Sequence, residues 1–210
     1  MTHTSARIVS SEDEALILVD ANDNQTGVLS KAACHDGAGV LHRAFSVFLF
    51  DAAGRLLLQQ RAEGKRLWPM YWSNSCCSHP REGESIEAAA SRRLFDELHT
   101  TAELEFVYKF CYQASFGELG SENELCHVFL GRIGDEPVAN HTEIAALRFV
   151  TADELEQAFR DDDDAFTPWF RMEWKRLRED FTDTLARYIK ESPAGAGDLP
   201  HSGTPHDQGG

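Results

Sequence analysis

The chain has 210 residues, a formal net charge of −15, and 42% hydrophobic against 26% charged residues, the profile of one globular domain with appendages. The acidic excess works against nucleic acid and anionic membranes as partners, and no run of about 18 apolar residues predicts a membrane helix. The polar start from Met1 to Ser11 has no apolar stretch of the kind a secretory signal needs, so a cytoplasmic protein is expected. The five cysteines, Cys34, Cys76, Cys77, Cys111 and Cys126, are odd in number and fit no disulfide framework; reduced thiols are expected. Positive charge is carried mostly by Arg, a balance compatible with a salt-rich cytoplasm or with a GC-rich genome.

Residues 1–13 are expected to form a disordered lead, residues 14–191 a single catalytic domain, and residues 192–210, rich in Gly, Pro, Asp and His, a disordered acidic tail. Residues 14–20 (EALILVD) read as a strand closed by the turn Ala-Asn-Asp-Asn. Residues 44–50 (AFSVFLF) form a near-continuous apolar run, the pattern of a buried strand. A turn at 51–54 (DAAG) returns the chain into a strand at 55–61. Residues 85–98 are the clearest helix, with Ser85 at the cap and Ile86, Ala90, Leu94 and Leu98 recurring on one face. Strands follow at 106–112, 124–131 and 146–150. Thr151 caps a helix to Arg160, and residues 168–189 read as a long helix with a possible break. Strands around a central helix indicate an α/β sandwich, of the α+β kind, rather than a doubly wound sheet.

Four groups of residues carry chemistry, and each has an ordinary structural reading beside the functional one. Cys77 and His79 lie two apart just ahead of the helix; such a thiol serves a metal or a nucleophile, or is simply buried. His35 and His42 flank a loop before a strand, as metal ligands or as structural histidines. Glu122 and Glu124 share one face of a strand; two carboxylates that close need a cation or a shared proton, unless they sit at a solvated strand end. Lys31, Arg61, Lys65 and Arg93 gather positive charge. Arg93 and Glu97 are four apart on the helix, as a surface ion pair or as part of a diphosphate cradle in which Glu97 holds a hard cation.

Taken together these groups point to a family. Residues 83–98 (GESIEAAASRRLFDEL) resemble a degenerate Nudix box. Arg92-Arg93 stands where an arginine–glutamate pair is usual, and Asp96-Glu97 where two glutamates are usual. Ser78 and His99 replace its opening and closing glycines. A thinned glutamate cluster argues against hydrolysis. From about Glu14 to about Arg178 the chain is more closely similar to the type 1 isopentenyl-diphosphate isomerases, the Nudix-fold branch. The shared features are Lys31, His35 and His42 in spacing, Trp68-Pro followed by Trp72-Ser-Asn-Ser-Cys-Cys77-Ser-His79-Pro, Glu122-Asn-Glu124, and Thr167-Pro-Trp169. Gln60 stands where some relatives have a second Arg, and Cys76 adjoins the thiol position.

The resemblance implies a Nudix-like fold with a mixed sheet, the Nudix-type helix and added C-terminal helices. It implies interconversion of isopentenyl and dimethylallyl diphosphate by protonation and deprotonation through a tertiary carbocation. It places Cys77 and Glu124 as the opposed acid–base pair, Tyr112 as an assistant, and Trp169 facing the cation, where a ring attracts positive charge by about 0.5–2 kcal/mol. One divalent metal (Mn, Mg or Zn) is expected on His35, His42, His79, Glu122 and Glu124. A second Mg is expected with the substrate diphosphate, at Glu97 and the backbone carbonyl of Cys77. Lys31, Arg61, Lys65 and Arg93 are the expected diphosphate contacts. The expected partner is a small prenyl diphosphate, with neither nucleic acid nor membrane, in a monomer or dimer. A Nudix diphosphate hydrolase and a non-catalytic Nudix-like binding module are the competing expectations.

Overall fold

The computed structural model describes residues 8–189. The strands are β1 (Ala15–Val19), β2 (Gln25–Ser30), β3 (His42–Phe50), β4 (Leu56–Arg61), β5 (Trp72–Ser73), β6 (Cys76–Ser78), β7 (Leu104–Ser115), β8 (Ser121–Arg132) and β9 (Ile144–Val150). The helices are α1 (Lys31–Cys34), α2 (Ile86–Leu98), α3 (Ala152–Asp161), α4 (Pro168–Asp180) and α5 (Thr182–Ala186). None of the described helices is long and apolar enough to cross a membrane.

β3 is the hub of a mixed sheet. It runs parallel to β8 along its whole length and antiparallel to β6, and β7 pairs antiparallel with β8. A hairpin carries the chain from β3 into β4, which pairs with β9 and β5. Every residue from Ala44 to Phe50 is buried, because β3 is covered on both faces. Its side chains alternate. Phe45, Val47 and Leu49 pack with Ala89, Ala90, Leu94 and Leu98 of α2. Ala44, Phe48 and Phe50 pack on the other face with Phe170, Trp174, Leu177 and Leu185 of α4 and α5.

The caps follow the sequence. The Ser85 hydroxyl accepts from the Ala88 N–H, and Thr151 and Glu154 form a reciprocal capping box. The expected long C-terminal helix is broken at Phe181, whose φ of −126° and ψ of 34° are not helical. Four elements, β2, α1, β5 and β6, were not predicted; α1, β5 and β6 are too short to show a periodicity, and β2 has a glycine mid-strand and no buried residue to mark a face. The expected lead is partly built into the domain, since Val9 is buried and its carbonyl accepts from Arg93 at 2.6 Å. Its first seven residues and the expected tail lie outside the described residues.

Candidate active site and metal centre

Sheet register assembles the first part of the site. His42 on β3 is paired with Glu124 on β8, and Glu124 with Tyr112 on β7. Three adjacent strands thus set an imidazole, a carboxylate and a phenol in a row. Glu122 lies two residues before Glu124 on the same strand. His35 caps the C-terminus of α1, and His79 follows directly on β6. One donor atom from each of His35, His42, His79, Glu122 and Glu124 lies within 4.8 Å of all the others. The two carboxylates are buried and not at a solvated strand end.

The donor set fits a divalent cation. His35 Nδ1 lies 2.7 Å from the Lys31 carbonyl and His42 Nδ1 lies 2.7 Å from the Val40 carbonyl. Each ring thus has a backbone acceptor for an Nδ1 proton and points Nε2 inward, the arrangement a metal needs. His42 is fully buried, and its Nε2 has no hydrogen-bond partner among the described residues; the nearest carboxylate oxygen among them, on Glu124, is 3.7 Å away. His79 Nε2 lies 2.9 Å from Glu124 Oε1, and His35 Nε2 lies 2.7 Å from Glu122 Oε2. Burial and the neighbouring His35 hold His42 down to about 4. Burial and the adjacent Glu122 push Glu124 well above the usual carboxylate range. Glu122 goes the other way, to about 2: burial opposes its charge, but His35 outweighs burial. Such mixed imidazole and carboxylate ligands suit first-row divalent ions.

Beside this cluster lies a cavity of about 160 Å³, and Cys77, Tyr112, Glu124 and Trp169 all line it. The Trp169 indole N–H donates to Cys77 Sγ at 3.3 Å, and the Tyr112 hydroxyl donates to Glu124 Oε2 at 2.6 Å. The Trp169 and Tyr112 rings lie 6.3 Å apart between centroids. Thiol and carboxyl are thereby joined by one aromatic wall. Cys77 also donates to Asn74 Oδ1 at 2.7 Å. The thiol is not activated in the way proximity to a helix start suggests: burial, then Glu173, pushes it up to about 12. β6 separates the two adjacent thiols by strand alternation. Cys76 faces α2 in the apolar core, and Cys77 faces the cavity.

Lys31, Arg61, Lys65 and Arg93 line the same cavity. Arg61 is set by the carbonyls of Leu67 and Trp68, 2.9 and 3.0 Å away, and its guanidinium lies 5.3 Å from the Trp169 ring centroid. Lys31 Nζ donates to Ser10 Oγ at 2.6 Å. Arg93 and Glu97 are buried, not a surface pair, with 2.6 Å between Nη2 and Oε1. Glu97 faces Arg93 and is not on the cavity wall. Glu143, which no sequence pattern marks, holds Lys65 and also Arg93, the latter at 3.2 Å. Glu173, also unpredicted, is completely buried behind Cys77. Its position four residues after Trp169 on an apolar helical face was the available signal.

Residues 40–170 match the family model described as the NUDIX domain. The chain is 40% identical over 174 residues to isopentenyl-diphosphate Delta-isomerase 1 of Photorhabdus laumondii, covering 82% of this chain and 99% of that protein. It is 44% identical over 176 residues to the isopentenyl-diphosphate Delta-isomerase of Serratia proteamaculans, covering 83% and 97%. The fold matches a solved Deinococcus radiodurans protein with a TM-score of 0.60 at 20% identity, over 84% of this chain and 100% of that one. The chain belongs to the Nudix family and, within it, to the isopentenyl-diphosphate Delta-isomerases.

Proposed function

We propose that Cys77 and Glu124 are the two proton-carrying groups with which this chain interconverts isopentenyl and dimethylallyl diphosphate. The observation that carries this assignment is that both line one cavity, joined through Trp169 and Tyr112, beside a five-donor cluster and five cations. Moving the double bond needs a proton added at one carbon and another removed two carbons away. Protonating the terminal alkene carbon leaves the charge on the tertiary carbon. The Trp169 face attracts such a cation, and the aromatic wall on that side keeps water from trapping it as an alcohol. Cys77, held as a neutral thiol by burial, has a proton to give and no charge to lose. Glu124, with Tyr112 donating to its second oxygen, is the complementary carboxylate.

His35, His42, His79, Glu122 and Glu124 would hold one divalent cation, Mn, Mg or Zn, which when bound keeps Glu124 ionised and oriented. A second Mg arriving with the diphosphate is assigned to Glu97 and the Cys77 carbonyl, which requires the Glu97 carboxylate to turn from Arg93 toward the cavity. Lys31, Arg61, Lys65 and Arg93 orient the diphosphate through charge-assisted hydrogen bonds. A thiol in this role needs a compartment that keeps it reduced, so the cytoplasm is its proposed place.

Incubation with isopentenyl diphosphate and a divalent metal in D₂O should give dimethylallyl diphosphate carrying deuterium, followed by NMR. Cys77→Ala should lower kcat by ~10²–10⁴-fold, the range of a lost acid–base group, and Cys76→Ala should leave it largely intact. Release of inorganic phosphate without double-bond movement would instead point to a hydrolase. The reverse pattern between the two cysteines would sink the choice of Cys77.

A further inference from the structure

α4 enters the core with an apolar face of Trp169, Phe170, Trp174 and Leu177, and in the middle of it stands a carboxyl group, Glu173. Its side chain is completely buried, and Oε2 has no hydrogen-bond partner among the described residues. Burying an unpaired polar group costs roughly 1–3 kcal/mol, and an ionised one far more. Replacing buried ionisable groups with apolar ones of similar volume is often neutral or stabilising. A residue this costly on a packing face calls for a use.

Its neighbours indicate the use. Glu173 Oε1 lies 3.4 Å from Cys126 Sγ, Cys126 Sγ lies 3.5 Å from Ser46 Oγ, and Ser46 Oγ lies 3.6 Å from Cys77 Sγ. The line crosses three strands, from β8 through β3 to β6, where Ser46 and Cys77 are register partners. It ends on the same sulfur that Trp169 reaches. Trp169 and Glu173 are four residues apart, hence stacked on one helix face. One helix turn therefore addresses the thiol twice: directly through the indole N–H, and through Cys126 and Ser46 from behind.

We infer that Glu173 is a positioning residue for the Cys77 thiol, acting through Cys126 and Ser46 to fix the sulfur against the cavity. This rests on the assignment of Cys77 above. The carboxyl acts as a neutral hydrogen-bonding group: burial raises it from the ordinary 4.5 to about 8, and no cation touches it among the described residues. Its backbone is fixed as well, since the Tyr108 hydroxyl donates to the Glu173 carbonyl at 3.2 Å. An ionised Glu173 would place a second negative charge behind any thiolate formed at Cys77; a neutral one does not.

The test is steady-state kinetics of Glu173→Leu and Glu173→Gln in the metal-loaded enzyme, with unfolding temperatures measured alongside. Glu173→Leu should lower kcat by ~10–100-fold, the scale of a misplaced reacting group, with KM unchanged. Its unfolding temperature should be unchanged or raised. Glu173→Gln, which keeps a neutral hydrogen-bonding end, should recover most of the loss. Wild-type kcat in Glu173→Leu overturns the inference, as does a loss confined to KM or a Glu173→Gln variant as slow as Glu173→Leu. Should Glu173→Leu not fold, Glu173→Met replaces it, with the same criteria. In a Cys77→Ala background Glu173→Leu should cost nothing further. If Cys77→Ala alone keeps full turnover, the thiol assignment fails and takes this inference with it. If Cys77→Ala is inactive while Glu173→Leu is normal, only the inference fails.

Discussion

Glu143 is the counter-ion for two of the five cations that line the cavity (Arg66, the fifth, pairs with Asp36), and their usefulness to a diphosphate depends on it. Lys65 and Arg93 both pair with its carboxylate, while Lys31 and Arg61 bind neutral acceptors. Burial pulls Lys65 below its ordinary value, with Glu143 opposing and Arg61 adding to the fall. Glu143→Gln therefore leaves clustered, desolvated cations repelling one another. A charge-assisted hydrogen bond is worth about 1.5–3 kcal/mol; with half of it reaching the substrate complex, KM for isopentenyl diphosphate should rise by about 4–13-fold with kcat less affected. An unchanged KM would show that Glu143 is dispensable to the cradle. The His35–Glu122 pair makes a second prediction, for the metal-free protein. Glu122 is depressed from 4.5 to about 2, so its contribution is full above 4.5 and fades as pH falls toward 2. His35 is raised above 6.5, because Glu122 outweighs burial, so its contribution is full below 6.5 and fades as pH rises through the higher folded value. In urea titrations the stability gap between wild type and Glu122→Gln should be widest between pH 4.5 and 6.5. A gap that grows steadily toward pH 9 would refute the pairing.

At the level of elements, what the sequence showed depended on length and period. The β3 run, the α2 face and the Ser85 and Thr151 caps were legible because each repeats or terminates a pattern. β5 and β6, two and three residues long, carry no period, yet β6 decides which thiol reaches the cavity. The resemblance implies Cys77 by its place before His79; in the structure, strand alternation turns Cys77 toward the cavity and Cys76 into the core. The four cations and five donors were legible as residue types in family order. Glu143 was not, because its partners lie 78 and 50 residues away in sequence and a lone Glu in a loop has no mark. His99 is a separate lesson. It occupies the C-cap of α2 in the left-handed conformation, φ 51°, where a glycine is usual. A left-handed non-glycine residue costs roughly 1–2 kcal/mol, partly offset by the entropy glycine loses on folding. His99→Gly should stabilise the protein by about 0.5–1 kcal/mol, raising its unfolding temperature by about 2 °C, with turnover unchanged. A lower unfolding temperature would mean that the His99 Nδ1 contact with the Val138 carbonyl, 3.1 Å long, outweighs the strain.

For the whole molecule, the five donors join four segments of the chain, three of which the sheet already holds side by side. His35 comes from the end of α1, His42 from β3, His79 from the segment after β6, and Glu122 and Glu124 from β8. A cation bound to all five links four segments spread over about ninety residues. The donors are already gathered in the fold, and an unfolded chain does not gather them, so binding free energy adds to folding free energy. At a free metal concentration 100 times Kd the gain is about 2.7 kcal/mol. For a domain of this size that raises the unfolding temperature by roughly 5–11 °C. Differential scanning calorimetry with EDTA, then with Mn²⁺ or Zn²⁺, measures it without reference to turnover. His42→Ala removes the most buried donor and should abolish most of the metal-induced rise, beyond whatever it costs the metal-free protein. His141→Ala, an exposed histidine outside the cluster, should keep the full rise. Equal unfolding temperatures with EDTA and with saturating metal would show that the five side chains pack together without holding an ion. Their two unlike carboxylates, one depressed and one raised, would then be a structural hydrogen-bonded cluster, and the ionisation of Glu124 would have to come from substrate binding alone.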